Sequence, residues 1–281
     1  MKSTEKILVT GSSGFLGRHL IPILKLRGKY EVIETTRNEN KMAANRVYLD
    51  LEKPETILNL EKYQDFDVLV HLGAKVGWDL APSDSLLMSN VISTGLLSES
   101  ARKRGAYVVY ASAMIVHGIN CSKVDETTPV NPDSGYAKSK YIGELLLSEA
   151  KIEHCNIRFA GIFGRDGPYH LGINRAIDSA IRGQSPVQVG TGKALRNYIY
   201  VKDAARAIIH CIDGRLHGTH LYAGTEIISV QDMLLQICEV CGCNLQPIIK
   251  QGRDAIDQVV VPSGKLPTSS TFRESLVDIL S

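Results

Sequence analysis

A tyrosine and a lysine four residues apart, Tyr136 and Lys140 in "YAKSKYIGELLLSEAK", form the pair in this chain with the plainest chemical use. On a helix, positions four apart share a face, so the Lys140 ammonium can stabilise a Tyr136 phenolate and draw a phenol of reference pKa about 10 towards neutrality. A phenol tuned in this way is a general acid or base. The spacing is common on helices, and its surroundings must decide its meaning. A second constellation, "VTGSSGFLGRHL" at 9–20, sets Gly11, Gly14 and Gly17 between an apolar run and an amphipathic one. Glycines at a strand-to-helix turn allow the N–H groups of a helix start to approach a pyrophosphate. Gly11, Ser13, Gly14, Phe15, Leu16 and Gly17 would line that cradle. A third cluster, Cys238, Cys241 and Cys243 in "QICEVCGCN", looks like a metal knuckle. Three sulfurs without a partner cluster or a nearby histidine fall short of a closed site, so reduced thiols and no metal are expected.

These side chains need a scaffold, and the apolar periodicity supplies one. A strand at "KILVT" (6–10) leads through the glycine loop into a helix whose Leu16, Leu20, Ile23 and Leu24 recur at helical spacing, with Pro22 expected as a kink and Gly28 as the stop. "YEVIETTR" (30–37) closes a strand, helix, strand unit. Further strands are expected at "RVYLD" (46–50), "DVLVHLG" (67–73), "YVVYASA" (107–113) and "HCNIRFA" (154–160), with helical stretches between most of them. Continuously apolar strands alternating with helices predict an α/β chain, a Rossmann-type doubly wound parallel sheet. After about residue 161 the rhythm loosens into short strands near 187–189 and 197–201, and "TFRESLVDIL" reads as a final helix. The expected division is a dinucleotide-binding domain over 1–160 and a smaller substrate-binding lobe over 161–281, with some chain crossing back.

Composition narrows the partners. With 281 residues, 44% of them hydrophobic, the chain can bury a large core. Its 32 basic and 30 acidic residues leave a net charge of +2, without a basic cluster, so nucleic acid is not an expected partner. "MKSTEK" runs into a strand without a signal-peptide core, and no apolar run approaches the roughly 18 residues of a membrane span. A soluble, cytoplasmic protein is expected.

Several segments in order carry a family resemblance: T-G-x-x-G-x-x-G at Thr10 to Gly17, "VHLGAKV" (70–76), "NVISTGLLSESARKRG" (90–105), Y-x-x-x-K at 136–140, "IRFAGIFGRDGP" (157–168) and "RNYIYVKDAARAI" (196–208). The chain, to about residue 240, resembles the extended short-chain dehydrogenase/reductase family of nucleotide-sugar epimerases, dehydratases and reductases. The resemblance implies that Tyr136 is the catalytic acid or base and that Lys140 also reaches the nicotinamide ribose. It implies that Leu72, Gly73 and Ala74 lie beside the cofactor, and that Asp50, with Leu51, contacts the adenine end. Arg196 would bind the substrate's pyrophosphate, a role suited to a planar bidentate donor, and Asn174 its nucleotide. Asp50 and Asn174 would serve equally as helix caps. A homodimer through the helix of Tyr136 and its neighbour is likewise implied.

The departures are as informative. The residue ending the second strand usually offers NAD a carboxylate; here it is Thr36, followed by Arg37, whose guanidinium suits a 2′-phosphate. NADP (NADPH) is therefore expected over NAD. The family's Ser or Thr falls at Ala113, with Ser112 one residue early and so expected to point away unless the strand end is irregular. Ser112 is retained as a third catalytic candidate, and His117 stands where a Tyr is usual. Dehydratases place Asp and Glu where this chain has Met114 and Ile115, which disfavours elimination and leaves a ketoreductase or an epimerase. Gly161 replaces an asparagine used towards substrate phosphates. Two other readings stay open: a dinucleotide-binding regulator that has lost turnover, and a reductase of a non-sugar carbonyl.

Overall fold

The computed structural model describes residues 4–60, 65–77, 79–242 and 245–281. Its main sheet grows from apolar strands whose side chains are buried on both faces. In β1 (Glu5–Thr10), Ile7, Leu8 and Val9 are fully buried. β1 pairs in parallel with β2 (Tyr30–Thr36) on one side and β4 (Val68–His71) on the other, while β3 (Arg46–Tyr48) extends the β2 edge and β5 (Tyr107–Ala113) the β4 edge. β7 (His154–Phe159) and β12 (Gly218–Tyr222) complete seven strands in the order β12-β7-β5-β4-β1-β2-β3. The order reverses between β1 and β4, where the register sets Thr10 beside His71. In open parallel sheets a crevice forms outside the strand ends at such a point.

Helix α1 (Phe15–Leu26) runs through Pro22 without a break and ends before Gly28, whose φ of +61° only glycine adopts freely. After α2 (Pro54–Leu58), the long helical stretch of the sequence divides into α3 (Asp84–Leu87), a π turn at Met88–Ile92 and α4 (Ser93–Arg104). The π turn was not legible from periodicity, because its apolar spacing matches an ordinary helix. α5 (Gly135–Glu149) starts at Ser134, whose side chain accepts from the Ala137 N–H as an N-cap.

Two compact units share the chain. The first comprises 1–119, 129–158 and 205–220; the second comprises 120–128, 159–204 and 221–281. The second unit holds short pairs: β6 (Lys123–Val124) with β15 (Val259–Val260), β8 (Ile162–Phe163) with β11 (Ile199–Tyr200), β9 (Val187–Val189) with β14 (Ile248–Lys250), and β10 (Leu195–Arg196) with β13 (Ile228–Ser229). Phe163 lies 5.6 Å from Tyr200 and 5.3 Å from Phe272 between ring centroids. Phe272 opens the last helix, Phe272–Leu280, under a capping box of Thr271 and Glu274. No described helix is long and apolar enough to cross a membrane.

Candidate active site

At the end of β1 the chain turns through Gly11, with φ +66°, and the Gly14 N–H bonds to the Gly11 carbonyl at 2.9 Å. A Cβ on Gly11 would lie 2.8 Å from the Gly73 backbone, and one on Gly17 would strike the Gly11 and Ser12 carbonyls. Both positions need glycine for close approach. The first intrahelical bond of α1 is Arg18 N–H to Gly14 O at 2.9 Å, so the N–H groups of Phe15, Leu16 and Gly17 have no helical acceptor. Ser12, buried, donates to Thr35 O at 2.7 Å and pins the loop to β2, while Ser13 stays exposed. A Cβ-excluding turn with aligned helix-start donors fits a pyrophosphate.

His71 ties the loop to the next strand. The Gly73 N–H donates to Thr10 Oγ1 at 3.2 Å, and Thr10 Oγ1 meets His71 Nδ1 at 2.7 Å. Thr94 donates its hydroxyl proton to Asn90 O at 2.7 Å and so accepts from His71 Nε2 at 3.0 Å. This network sets a neutral Nε2–H imidazole; burial first, then the nearby Lys140, push its pKa down to about 3. The sequence reading had no role for His71 or for Asn90. From the π turn, Asn90 donates to Lys75 O at 2.8 Å and Ser139 Oγ at 2.9 Å and accepts from the Lys75 N–H at 2.8 Å. Leu72, Gly73 and Ala74 thus lie on a strand end held from both sides. At the other edge, Arg37 is exposed beyond β2, and the Asp50 carboxylate caps the Glu52 N–H at 3.1 Å in a local turn.

Tyr136 and Lys140 occupy the first two turns of α5. Tyr136 is half-buried, and Lys140 is 2% exposed with Nζ 4.1 Å from the Tyr110 ring centroid. Burial pushes the Tyr136 phenol up to about 12 and the Lys140 ammonium down to about 7. This corrects the expectation that Lys140 draws the phenol down: desolvation opposes both charges.

Ser112 is held by a carboxylate on the same helix as this pair. Its hydroxyl donates to Glu144 Oε1 at 2.5 Å, and Glu144 lies two helical turns, about 12 Å along the axis, beyond Tyr136. Glu144 is clamped by Arg158, Nη2 to Oε2 at 2.6 Å and Nε to Oε1 at 2.9 Å. Arg158 Nη1 also donates to His117 Nε2 at 3.1 Å, while His117 Nδ1 donates to Pro129 O at 3.1 Å. His117 is therefore spent on structure. Two signals for this cluster lay in the sequence: Glu144 stands four residues after Lys140, and Arg158 is a lone charge in an apolar strand.

In the second unit, Asn174 neither caps its helix nor offers a free amide. It accepts from the Gly164 N–H at 3.2 Å and donates to Ile162 O at 3.3 Å and Pro168 O at 3.2 Å, which fastens the 162–168 turn. Arg196 is half-buried and donates from Nη1 to Leu195 O at 2.8 Å and to Ile256 O. Its neighbour Asn197, missed in the sequence, is buried and bonds Gly224 O at 2.8 Å and both backbone groups of Val260. A Cβ on Gly161 would come within 2.9 Å of the Tyr198 ring, which fills the place of an asparagine side chain. Cys238 is buried on helix Val230–Val240, Cys241 caps its end, and Cys243 lies outside the described residues. Among the described residues no group of three or more His, Cys, Asp or Glu gathers to hold a metal.

The comparisons agree with this geometry. A protein of Methanocaldococcus jannaschii assigned as a UDP-glucose 4-epimerase is 29% identical over 237 residues, 78% of this chain and 77% of that one. The dTDP-glucose 4,6-dehydratase of Mycolicibacterium smegmatis is 27% identical over 245 residues, 77% of this chain and 71% of that one. The structure of UDP-glucuronic acid 4-epimerase from Bacillus cereus, in complex with NAD, superposes with a TM-score of 0.80 at 19% identity, over 97% of this chain and 96% of that one. The model of the NAD-dependent epimerase/dehydratase family matches residues 7–224, and with the glycine turn, the Tyr136–Lys140 pair and the strand order in place, the chain belongs to that family.

Proposed function

We propose that the protein is a nicotinamide-dinucleotide-dependent oxidoreductase acting on a nucleotide-linked sugar, as ketoreductase or epimerase. The observation that carries this reading is the Tyr136–Lys140 pair, a half-buried phenol and a buried amine at the start of α5 in the same unit as the glycine turn. Relatives named as a UDP-glucose 4-epimerase and a dTDP-glucose dehydratase support the substrate class.

When bound, the nicotinamide supplies the donor or acceptor of hydride. The chain's own residues do the rest. The N–H groups of Phe15, Leu16 and Gly17 hold the pyrophosphate against the helix start. Arg37, with no carboxylate at Thr36 to oppose it, pairs with a 2′-phosphate, so NADP is preferred. Tyr136, held protonated by burial, gives its Oη proton to the oxygen of a sugar carbonyl as that carbon is reduced, and Lys140 compensates the phenolate left behind. Arg196 binds the diphosphate of the substrate with the guanidinium donors that Leu195 O, Ile256 O and Tyr198 leave over. Elimination of water is disfavoured, because Met114 and Ile115 offer no acid or base beside Ala113. Two copies pair through α4 and α5, where Ile92, in the turn leading into α4, and Leu145 are exposed large apolar side chains.

Tyr136→Phe tests the reading. Turnover of a panel of UDP-, dTDP- and GDP-linked sugars and keto-sugars should fall by about a hundredfold or more while the dinucleotide dissociation constant holds. One specific observation favours the regulator reading: Ser112, the hydroxyl candidate at the end of β5, is committed to Glu144. A wild-type protein that binds dinucleotide and turns over neither sugars nor aromatic or steroid ketones would establish that alternative.

A further inference from the structure

We propose that Tyr110 is a positioning residue for Lys140, its ring face seating the ammonium one helical turn from Tyr136. Tyr110 stands on β5, 1% exposed, and the Lys140 Nζ lies 4.1 Å from its ring centroid, well inside the roughly 6 Å range of a cation–π contact. The seat is shaped for the ring: a Cβ on Gly143 would collide with the Tyr110 hydroxyl, so glycine there lets the phenol reach under α5. The hydroxyl is buried and interacts with the Thr94 side chain without reaching ordinary hydrogen-bond geometry, while the ring face is turned to Lys140.

The groups around Lys140 show why a ring is needed. On its own helix these are Tyr136 and Glu144, on β5 Tyr110, and on β4 His71. His71 is neutral and Tyr136 carries its proton, so neither attracts an ammonium as an anion would. Glu144 is the acid, and its charge favours the ammonium through space, while its two oxygens are hydrogen-bonded to Arg158 and Ser112. Among the described residues no carboxylate lies within ion-pair distance of Lys140. Beside the more distant Glu144, the ring quadrupole is the direct contact that favours the charged amine over the neutral one, and burial makes that contact stronger than it would be in water. The role deepens the oxidoreductase reading, on which its catalytic meaning rests: Lys140 compensates a Tyr136 phenolate only while it is an ammonium.

The test reads Lys140 directly and needs neither cofactor nor substrate. Protein labelled with carbon-13 lysine is titrated by NMR, with the Lys140 Cε signal identified by its loss in Lys140→Met. Three proteins are compared: wild type, Tyr110→Phe, and a protein carrying pentafluorophenylalanine at position 110. The fluorinated ring keeps the shape, and so the fold, while reversing the sign of the quadrupole. The phenylalanine protein should titrate with the wild type, and the fluorinated one about one pH unit lower. A fluorinated protein that titrates with the wild type overturns the proposal, as does a phenylalanine protein that falls equally far, which would transfer the role to the hydroxyl. Since no turnover is read, failure here is separate from failure of the oxidoreductase reading, which the Tyr136→Phe assay decides.

Discussion

Arg158→Met should cost far more stability than its exposed edge suggests. The Glu144 side chain is 5% exposed and that of Arg158 13%, with the guanidinium bonding both carboxylate oxygens at 2.6 and 2.9 Å. Methionine fills much of the same volume but leaves Glu144 buried with Ser112 as its remaining side-chain donor, and it also removes the donor that faces His117 Nε2. Breaking a buried ion pair from one side costs about 3–5 kcal/mol, because the partner's desolvation is no longer offset. With a urea slope of roughly 3 kcal/mol/M for a chain of this size, the midpoint should move down by about 1–2 M. The double variant Glu144→Met/Arg158→Met removes both charges and should recover most of the loss, since an apolar pair of similar volume needs no desolvation. The measurement is equilibrium urea unfolding followed by far-UV circular dichroism on wild type, both single variants and the double. A cost for Arg158→Met below about 1 kcal/mol, or a double variant as unstable as the sum of the singles, would refute the reasoning. Either result would mean that water reaches the carboxylate or that packing dominates.

Two further outcomes follow from the same geometry. Ser112→Ala should lower stability by about 1.5–3 kcal/mol, the range for a hydrogen bond to a charged group, with kcat changed by less than about threefold; a hundredfold loss of kcat at unchanged stability would return Ser112 to catalysis. Arg37→Ser should weaken NADPH binding by about tenfold or more and leave NADH binding unchanged, as read by fluorescence titration at fixed salt. A wild-type protein that binds NADH more tightly than NADPH would sink the assignment of Arg37.

The parts of the fold that were legible in the sequence share a physical signature. β1 through β5 and β7 are short apolar runs bounded by turn residues, and parallel strands buried on both faces have to look like that. The glycine turn was legible because backbone approaches at Gly11 and Gly17 exclude any side chain. β6 and β15 were not, since a two-residue strand at Lys123–Val124 has no period to detect and its partner lies more than 130 residues away. β12 was missed for a related reason: "GTHLY" is short and polar at its start, and its place at the sheet edge depends on β7. In the candidate site, the shared helix of Tyr136 and Lys140 was legible because helical spacing is local. The tasks of Ser112, Asn174 and His117 depend on what stands across from them in space. A residue type says which bonds a side chain can make, and burial then forces it to make the nearest ones.

The same distinction explains the Tyr136–Lys140 pair. Read along the helix, the lysine is a positive charge that lowers a phenol; read in three dimensions, both groups lie where either charge alone is costly, with the phenol held up to about 12 and the amine held down to about 7. These two displacements have one cause and cancel if the groups charge together, because the phenolate and ammonium then supply the counter-charge that burial withholds. Near neutral pH the resting phenol keeps its proton, and donating it is costly only until Lys140 carries the matching charge. A site so arranged is matched to protonating an alkoxide as it forms during carbonyl reduction. Abstraction of a hydroxyl proton, the reverse step that an epimerase also needs, depends more heavily on Lys140 staying charged. The cation–π seat at Tyr110 bears on that requirement, since it favours the ammonium without placing a carboxylate beside the phenolate, where like charge would raise Tyr136 further.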